Sequence, residues 1–358
     1  MRILIIALSG IGDALMFTPA LKLLFQAAPG CRIDVLVMLK GAKEIFERNQ
    51  NINEVIYFDF LKEGMLASLK FILTLRNRYD ATINVYPSNR KEYNVINFLI
   101  GAHKRAGVEY LRKNPQNFGF LNNVRFIEDD SLHNVQTNIM LVEKLLNISF
   151  DEEPDLEFPL YEEDENYAAF YINSLRVIEG DLLIGFHPGS ATIKNHVRRR
   201  WEPEKFALLG KKLINEYNSR ILIFGGPDET ELKNSISEAI NSDLSSKQST
   251  RSYVVNTENL AQSAAIMKHC NLFITNDSSL MHVASAMKLD VVAIIGPTNP
   301  AYIYPWNTKY KIVNTGLDCS PCFIYSPRPL ICFRDDVKFK CIKELTVDMV
   351  YQAASKFI

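Results

Sequence analysis

Residues 1–17 read MRILIIALSGIGDALMF, and this stretch decides the fold. An apolar run behind a basic residue is also found in signal peptides, but Gly10, Gly12 and Asp13 interrupt this run and no small-residue cleavage site follows it. The stretch therefore predicts a buried strand, a glycine turn and a helix, which together form the first unit of a parallel α/β sheet.

Short apolar runs alternate with helix-length amphipathic segments along the rest of the chain, which predicts two successive parallel sheets. The predicted strands are 3–8, 33–38, 54–58, 81–86 and 105–108, followed by 182–186, 220–224, 252–255, 272–275 and 291–295. An acidic stretch at 151–165, DEEPDLEFPLYEEDE, is typical of an interdomain connection, and the polar segment 241–252 is typical of a mobile surface loop.

The expected fold class is therefore α/β, with two Rossmann-like domains facing each other across a cleft. We expect the first domain to span residues 1–176 and the second 177–344, followed by a C-terminal helix at 345–358. A chain of 358 residues is long enough for two domains of ~150 residues each.

Composition narrows the class of protein. Hydrophobic residues make up 47% of the chain and charged residues 23%, which excludes a disordered or collagen-like protein. The chain has 40 basic and 41 acidic side chains, so its net charge is close to zero. No global basic field therefore attracts nucleic acid, and phosphate groups must be recognised by local groups. The sequence has no run of about 18 uncharged apolar residues that would predict a spanning helix. We expect a cytoplasmic protein and leave open a peripheral contact at the inner face of the cytoplasmic membrane.

Ligands of parallel sheets bind beyond the carboxyl ends of the strands, so the turns after the strands hold the candidate site residues. In the first turn, the dinucleotide pattern G-x-G-x-x-G is incomplete because Leu15 replaces the third glycine, which disfavours a dinucleotide oxidoreductase. Asp13 in the first helical turn would repel a pyrophosphate and suits a catalytic carboxylate better. The alternative that Asp13 only caps a helix stays open.

Two turns of the second half suit a phosphorylated ligand. The first, H-P-G-S at 187–190, precedes three arginines at 198–200, and guanidinium groups can hold phosphate oxygens in a bidentate fork. A run of three arginines is more often part of a solvated surface. In the second turn, Gly225 allows close approach of a ligand and Glu229 can accept hydrogen bonds from ribose hydroxyls, unless it only begins a helix.

A third turn, N-D-S-S-L-M-H at 276–282, joins a predicted strand to a predicted helix. The helix would offer unpaired backbone amides and the imidazole of His282 to a diphosphate, and Asp277 can bind a polyol beside it. The alternative is an ordinary helix cap with a core histidine. A further turn, G-P-T-N-P at 296–300, follows the next strand.

Together these motifs resemble those of glycosyltransferase family 9, the bacterial heptosyltransferases of lipopolysaccharide core assembly and their relatives. The matching stretches, in family order between residues 9 and 300, are G-I-G-D-x5-P, H-P-G-S with R-R-W-E-P-E-K-F, F-G-G-P-D-E, N-D-S-S-L-M-H and G-P-T-N-P. The resemblance implies a GT-B fold, with the acceptor on the N-terminal domain and the nucleotide sugar on the C-terminal one. It also implies inverting chemistry that needs no catalytic cofactor.

The resemblance further assigns roles to individual residues. Asp13 would be the general base, and Arg199, where the family commonly has lysine, would contact the diphosphate. Glu229 would contact the ribose and Asp277 the donor sugar, while the amides of residues 278–281 and His282 would bind the pyrophosphate. These groups and Arg199 would stabilise the charge that builds on the leaving diphosphate. The serine at 279 is a second departure, since the family usually has glycine there.

The predicted site divides into three sets. The catalytic residues are Asp13 and Arg199, and the donor-binding residues are His187, Gly189, Ser190, Arg200, Gly225, Glu229, Asp277, Ser278, Ser279, Leu280, Met281 and His282. The acceptor-binding residues are Gly12, Arg90 and Lys91, of which the two cations would neutralise an anionic, lipid-linked saccharide unless they are scattered solubilising charges.

The predicted activity is transfer of heptose from ADP-heptose to a lipopolysaccharide core or a related acceptor. Three alternatives stay open: another nucleotide sugar, a protein acceptor as in autotransporter heptosyltransferases, and a non-catalytic protein that binds nucleotide sugars.

Four of the six cysteines crowd into one short segment, as Cys319, Cys322, Cys332 and Cys341. Four soft ligands with a close first pair fit a tetrahedral site for structural zinc or iron, and a cytoplasmic setting disfavours disulfides. Free reduced thiols are the alternative. Since protein would fill all four positions, such a metal would take no part in catalysis.

Overall fold

The computed structural model describes residues 1–175, 180–242, 250–323 and 329–358. These residues form two compact units: Met1–Pro159 with Ala301–Ile303 in the first, and the other described residues in the second. Within the described residues, each unit contains a six-stranded sheet whose neighbouring strands all run parallel.

The first unit alternates strands and helices from its first residues onward. Its strands are β1 (Arg2–Ala7), β2 (Arg32–Val37), β3 (Glu54–Tyr57), β4 (Ala81–Asn84), β5 (Lys104–Glu109) and β6 (Val124–Ile127). Its helices are α1 (Ile11–Ala27), α2 (Lys40–Glu47), α3 (Met65–Thr74), α4 (Lys91–Ile100) and α5 (Asn134–Leu146).

The second unit repeats the alternation. Its strands are β7 (Leu183–His187), β8 (Arg220–Ile223), β9 (Ser252–Val254), β10 (Leu272–Asn276), β11 (Asp290–Ile294) and β12 (Tyr310–Val313). The helices are α6 (Glu162–Ser174), α7 (Pro203–Tyr217), α8 (Thr230–Asn241), α9 (Leu260–Met267), α10 (Ser279–Ala286), α11 (Pro300–Ile303), α12 (Lys340–Lys343) and α13 (Val347–Ala354). Ala301–Ile303 of α11 group with the first unit.

Both sheets have the same kind of strand order. The first runs β3-β2-β1-β4-β5-β6 and the second β12-β11-β10-β7-β8-β9, so the order reverses between β1 and β4 and between β10 and β7. In doubly wound sheets, ligands bind outside the carboxyl ends of the strands at such a switch point. The turns after β1 and β4 and after β7 and β10 therefore hold the candidate sites.

The central strands are buried at nearly every position because helices cover both faces of each sheet. Residues 3–7 of β1 and all of β7 are buried. This explains why the central strands read as continuous apolar runs and why the sequence predicts them well. Edge strands β6 and β12 are partly exposed and were not predicted.

The units divide at Pro159 and Leu160, earlier in the chain than the expected 176/177 boundary. Helix α6 belongs to the second unit because it packs on α9 and β9: Tyr171 Oη donates to the Val254 carbonyl at 3.3 Å, and Lys268 pairs with Glu165 at 2.6 Å. The expected boundary falls at residues 176–179 and the centre of the expected polar loop at 243–249, both outside the described residues.

The C-terminal segment is part of the second unit. Val350, Tyr351 and Ala354 of α13 are buried in its core, so the expected separate helix at 345–358 contributes directly to the fold. In the parts of the chain that the structure describes, no helix is both long enough and apolar enough to cross a membrane.

Candidate active site

The switch point of the second unit brings three separate motifs together. Thr275 of β10 pairs in register with His187 at the end of β7. The His187 ring lies between two partners: Nδ1 is 2.7 Å from the Ser278 hydroxyl, and Nε2 is 3.1 Å from Glu229 Oε2. Three motifs that lie far apart in sequence thus form one hydrogen-bonded cluster.

Glu229 is buried at the centre of this cluster. Its Oε2 also accepts the Gly226 N–H at 3.1 Å, and Arg200 donates to its Oε1 at 3.0 Å. Burial raises the pKa of Glu229, but the hydrogen bond and charge of His187, with Gly226 and Arg200, hold the pKa below its usual value. A carboxylate accepts about four hydrogen bonds, so one position remains for a ribose hydroxyl.

Gly189 makes room for this carboxylate. A Cβ added at residue 189 would lie 1.8 Å from Glu229 Oε1, closer than any real contact allows. Ser190 fixes the other side of Arg200, which donates to the Ser190 carbonyl at 2.5 Å. The H-P-G-S turn therefore positions the Arg200–Glu229 ion pair through its shape.

Arg199 and Asp277, expected to contact different parts of the donor, are paired with each other. Arg199 Nη1 donates to Asp277 Oδ2 at 2.6 Å, and both side chains are largely buried. Thr298, in the G-P-T-N-P turn, donates to the same Asp277 oxygen at 2.5 Å. The Arg199 Nη2 atom lies 3.1 Å from His196 Nδ1. Thr298 and His196 were not predicted as site residues, although the motif containing Thr298 was recognised.

Helix α10 begins beside this pair. Ser278 is its N-cap residue, but its hydroxyl contacts His187 and does not cap the helix. The first-turn amides can therefore receive an anion, as helix N-termini often do. Of the amides expected to serve this purpose, that of Met281 already donates to the Ser278 carbonyl at 3.2 Å.

His282 lies inside α10 and is 4% exposed. Burial lowers its pKa to about 4, so the imidazole is neutral at pH 7. Its Nδ1 has no hydrogen-bond partner among the described residues. In the ligand-free state the predicted contribution of His282 to a diphosphate is therefore a hydrogen bond from the neutral imidazole.

The three arginines at 198–200 are held in place through Trp201, the residue that follows them. The buried Trp201 donates its backbone N–H to Asn276 Oδ1 at 3.1 Å and its Nε1–H to the Leu345 carbonyl at 2.9 Å. Asn276 also donates to the Pro188 carbonyl at 2.7 Å. Asn276, missed by the sequence reading, links the turns after β7 and β10 to the arginines.

The switch point of the first unit contains Asp13. The Ser9 hydroxyl donates to the Pro87 carbonyl at 2.5 Å, which ties the turn after β1 to the turn after β4. Asp13 Oδ2 accepts the Gly10 N–H at 2.8 Å, so this carboxylate does cap α1. The cap does not preclude catalysis, because a carboxylate can accept further hydrogen bonds.

Arg90 lies at the same switch point. Its guanidinium stands over the Tyr93 ring, 5.7 Å from the centroid, and Tyr93 Oη donates to the Leu8 carbonyl at 2.7 Å. Burial raises the pKa of Tyr93 to about 12, and the charges of Arg90 and Asp13 act on it with opposite sign. Arg90 therefore lies against Tyr93, and the charge of Asp13 acts on the same hydroxyl from further away.

The other two predicted acceptor residues lie beside them in sequence. Gly12 is buried within α1, and Lys91 is exposed as the first residue of α4.

The four clustered cysteines of the second unit, Cys319, Cys322, Cys332 and Cys341, are close to one another. Burial, together with nearby Cys322, Cys332 and Cys319, raises the pKa of Cys341 to about 11. Nevertheless, across the described ranges no three His, Cys, Asp or Glu side chains are arranged to hold a metal ion. The predicted metal site is not confirmed, because the thiols are gathered without forming a coordination sphere.

Comparison with known proteins gives a consistent result. A profile of glycosyltransferase family 9 (heptosyltransferase) matches residues 68–328. Lipopolysaccharide heptosyltransferase 2 of Escherichia coli is 26% identical over 326 residues, covering 87% of this chain and 88% of that protein. Lipooligosaccharide heptosyltransferase 2 of Campylobacter jejuni is 26% identical over 368 residues, covering 99% of each.

A solved structure is similar over the whole chain. The E. coli ADP-heptose lps heptosyltransferase II structure has a TM-score of 0.72 at 23% identity, and the match covers 100% of this chain and 98% of that one. This likeness confirms the predicted GT-B fold built from two Rossmann-like domains.

Proposed function

The chain belongs to glycosyltransferase family 9, and from this membership we propose that it transfers heptose from ADP-heptose to a lipopolysaccharide core saccharide with inversion. The observation that carries the proposal is the cluster of His187, Glu229 and Ser278 at the switch point of the second unit. The curated relatives named above, matched over most of their length, act as heptosyltransferases and support the same activity.

The second unit would bind the nucleotide sugar. The remaining acceptor position of Glu229 suits a ribose hydroxyl, and the α10 N-terminus suits the diphosphate. Arg199 would supply positive charge to the diphosphate, and Asp277 would bind hydroxyls of the sugar. Because these two side chains pair in the ligand-free structure, donor binding has to loosen or share that ion pair.

The first unit would bind the acceptor and supply the base. The Asp13 carboxylate takes the proton of the acceptor hydroxyl as that oxygen attacks the anomeric carbon. The bond between the anomeric carbon and the diphosphate oxygen breaks at the same time, and ADP leaves. Arg199 and the α10 amides stabilise the negative charge on the departing diphosphate. Arg90 and Lys91 are suited to an anionic acceptor.

The donor can be identified by thermal-shift screening of the full chain against ADP-, UDP- and GDP-linked sugars. A ligand that binds only the folded state and is present at ~100 times its dissociation constant adds ~2.7 kcal/mol to the free energy of unfolding. We expect stabilisation by ADP and ADP-heptose, followed by ADP release when a core saccharide is added. Stabilisation by another nucleotide sugar alone contradicts the donor assignment, and binding without ADP release indicates a non-catalytic protein.

We propose a cytoplasmic location. The six cysteines are all free, as expected of a protein that folds in a reducing compartment.

We also propose that Cys319, Cys322, Cys332 and Cys341 bind structural zinc or iron. The donor set has the right chemistry, and two sulfurs accept the kind of hydrogen bond that supports metal thiolates: Phe339 N–H to Cys332 Sγ at 3.2 Å and Arg334 to Cys319 Sγ at 3.4 Å. Because the thiols do not yet form a coordination sphere, they would have to close around the ion.

Metal analysis of the full chain purified without chelator tests this site. We expect zinc or iron in the wild type and its loss in the Cys319→Ser/Cys322→Ser double variant. Wild-type protein without either metal contradicts the proposal.

A further inference from the structure

Helix α3 of the first unit exposes an apolar face that the proposed chemistry does not use. Met65 and Leu66 are 85% and 82% exposed, and Leu69 and Leu73 also belong to the exposed residues. These four side chains lie within an arc of about 100° around the helix. Leu61 in the preceding turn is 64% exposed and extends the patch. We call these five residues the α3 face.

Helix α3 is anchored to the rest of the first unit through a few residues. On the inner side of α3, Ile72 is buried in the core beneath the sheet, together with Leu75 just after the helix. The Phe71 ring stacks on Phe58, with centroids 4.1 Å apart. The five side chains of the α3 face lie outside these contacts, so they form an exposed apolar surface within the described part of the chain.

Positive charge borders the α3 face. Lys70 on the helix and Arg76 and Arg78 just beyond it are exposed, and the helix contains no acidic residue. The chain as a whole has a net charge of −1, so this cationic border is local. Leucines flanked by exposed cations are the combination by which an interfacial helix binds an anionic bilayer.

The position of the face also suits a membrane-borne acceptor. The loop that leads into α3 starts at the carboxyl end of β3, and Asp13 follows the carboxyl end of β1. In a parallel sheet these ends lie at the same edge, so the start of α3 and the proposed base share that edge. A bilayer at the α3 face would present a lipid-linked hydroxyl on the catalytic side of the first unit.

We propose that the α3 face docks the enzyme on an anionic lipid bilayer. The inference rests on the proposed function in one respect, that the acceptor is lipid-linked. A symmetric pair of chains is the less suitable occupant, since an isologous contact would bring the same cationic border against itself.

Vesicle co-sedimentation of the full chain tests the docking surface. Wild-type protein should sediment with vesicles of phosphatidylethanolamine and phosphatidylglycerol, and much less with phosphatidylcholine alone. Leu66→Glu/Leu69→Glu should weaken binding to the anionic vesicles by about tenfold or more, because it places charge in the apolar contact. Phe170→Glu is the matched control, since Phe170 is a helical residue of the second unit that is 76% exposed.

Several results would overturn the proposal: no wild-type binding, equal binding by the leucine variant, or equal loss in the control. So would a wild-type dimer in sedimentation velocity that the leucine variant dissociates while vesicles remain unbound. Transfer from ADP-heptose to a core saccharide without its lipid separates the two proposals. The leucine variant should keep wild-type rates in that assay, whereas failure of the wild type there contradicts the proposed function and leaves the vesicle result intact.

Discussion

The two switch points have the same topology and very different contents. In the second unit, His187, Glu229 and Arg200 form one hydrogen-bonded network, and Arg199 and Asp277 form an ion pair beside it. In the first unit, the carboxylate of Asp13 receives a helix-cap hydrogen bond at the corresponding turn. One strand order therefore supports a preorganised polar cluster in the second unit and, as we propose, a carboxylate placed for proton transfer in the first.

We expect the largest effect from removing the carboxylate of Asp13 in the first unit. Asp13→Asn keeps a side chain that can still cap α1, so the fold should be preserved. Transfer should fall by about 10²- to 10⁴-fold because the general base is lost, while donor affinity stays within about twofold. Initial rates of ADP release and calorimetric titration with the donor measure the two quantities. Near-normal turnover would leave Asp13 with a capping role alone.

The ion pair between Arg199 and Asp277 in the second unit can be broken by replacing only one of its two partners. Arg199→Met leaves the Asp277 carboxylate buried and without its cation, which should lower the free energy of unfolding by about 3 kcal/mol. Arg199→Met/Asp277→Asn should recover most of that loss, because no uncompensated charge remains. Urea denaturation of the four proteins of this double-mutant cycle gives the coupling energy. Strictly additive effects would show that the pair is not a unit.

The network around Glu229 can be disturbed without changing any charge. In Gly189→Ala the new methyl group would overlap the Glu229 carboxylate, so the Arg200–Glu229 pair must shift. Donor affinity should fall by about 10- to 100-fold. Gly64→Ala is the control, because no atom lies within 4 Å of a Cβ added there. Equal donor affinity in both variants, measured by titration, argues against a binding role for this turn.

A last test concerns proton uptake by His282, whose effect within any one pH unit is small. Its folded-state pKa of about 4 lies below the ordinary histidine value of about 6.5. The contribution of neutral His282 to the free energy of unfolding is therefore fully present above about pH 6.5. It declines by at most about 1.4 kcal/mol per pH unit as the pH falls toward 4. His282→Gln should remove this part of the slope, while His196, whose pKa is also lowered to about 4, remains in both proteins. The free energy of unfolding is measured by urea denaturation at several pH values. An identical dependence on pH in the wild type and in His282→Gln would contradict this prediction.

The sequence predicts the buried strands and the turns after them well, because a strand covered on both faces must be apolar throughout and must end in a polar or glycine turn. The sequence predicts much less about which side chains contact each other. That Arg199 contacts Asp277 and His187 contacts Glu229 depends on which strands become neighbours in space, and β7, β8 and β10 are far apart in the chain.

Helix α6 shows a second reason for error. Its first turn contains Glu162, Glu163, Asp164 and Glu165, which the sequence reading assigned to a connection. Acidic residues also favour a helix N-terminus, and only the packing of α6 on α9 decides between the two. The cysteine spacing likewise predicts proximity, which the structure confirms, but not coordination geometry.

The anchoring of Trp201 has a consequence for how the protein matures. All six strands of the first sheet lie within the first 127 residues, so that sheet can assemble while the ribosome is still extending the chain. The carbonyl that holds the Trp201 indole belongs to Leu345, 144 residues later in the chain. The arginines next to Trp201 therefore reach their final positions only after residue 345 has been translated, and a nascent chain that stalls before that point would contain the proposed base without a finished proposed donor site.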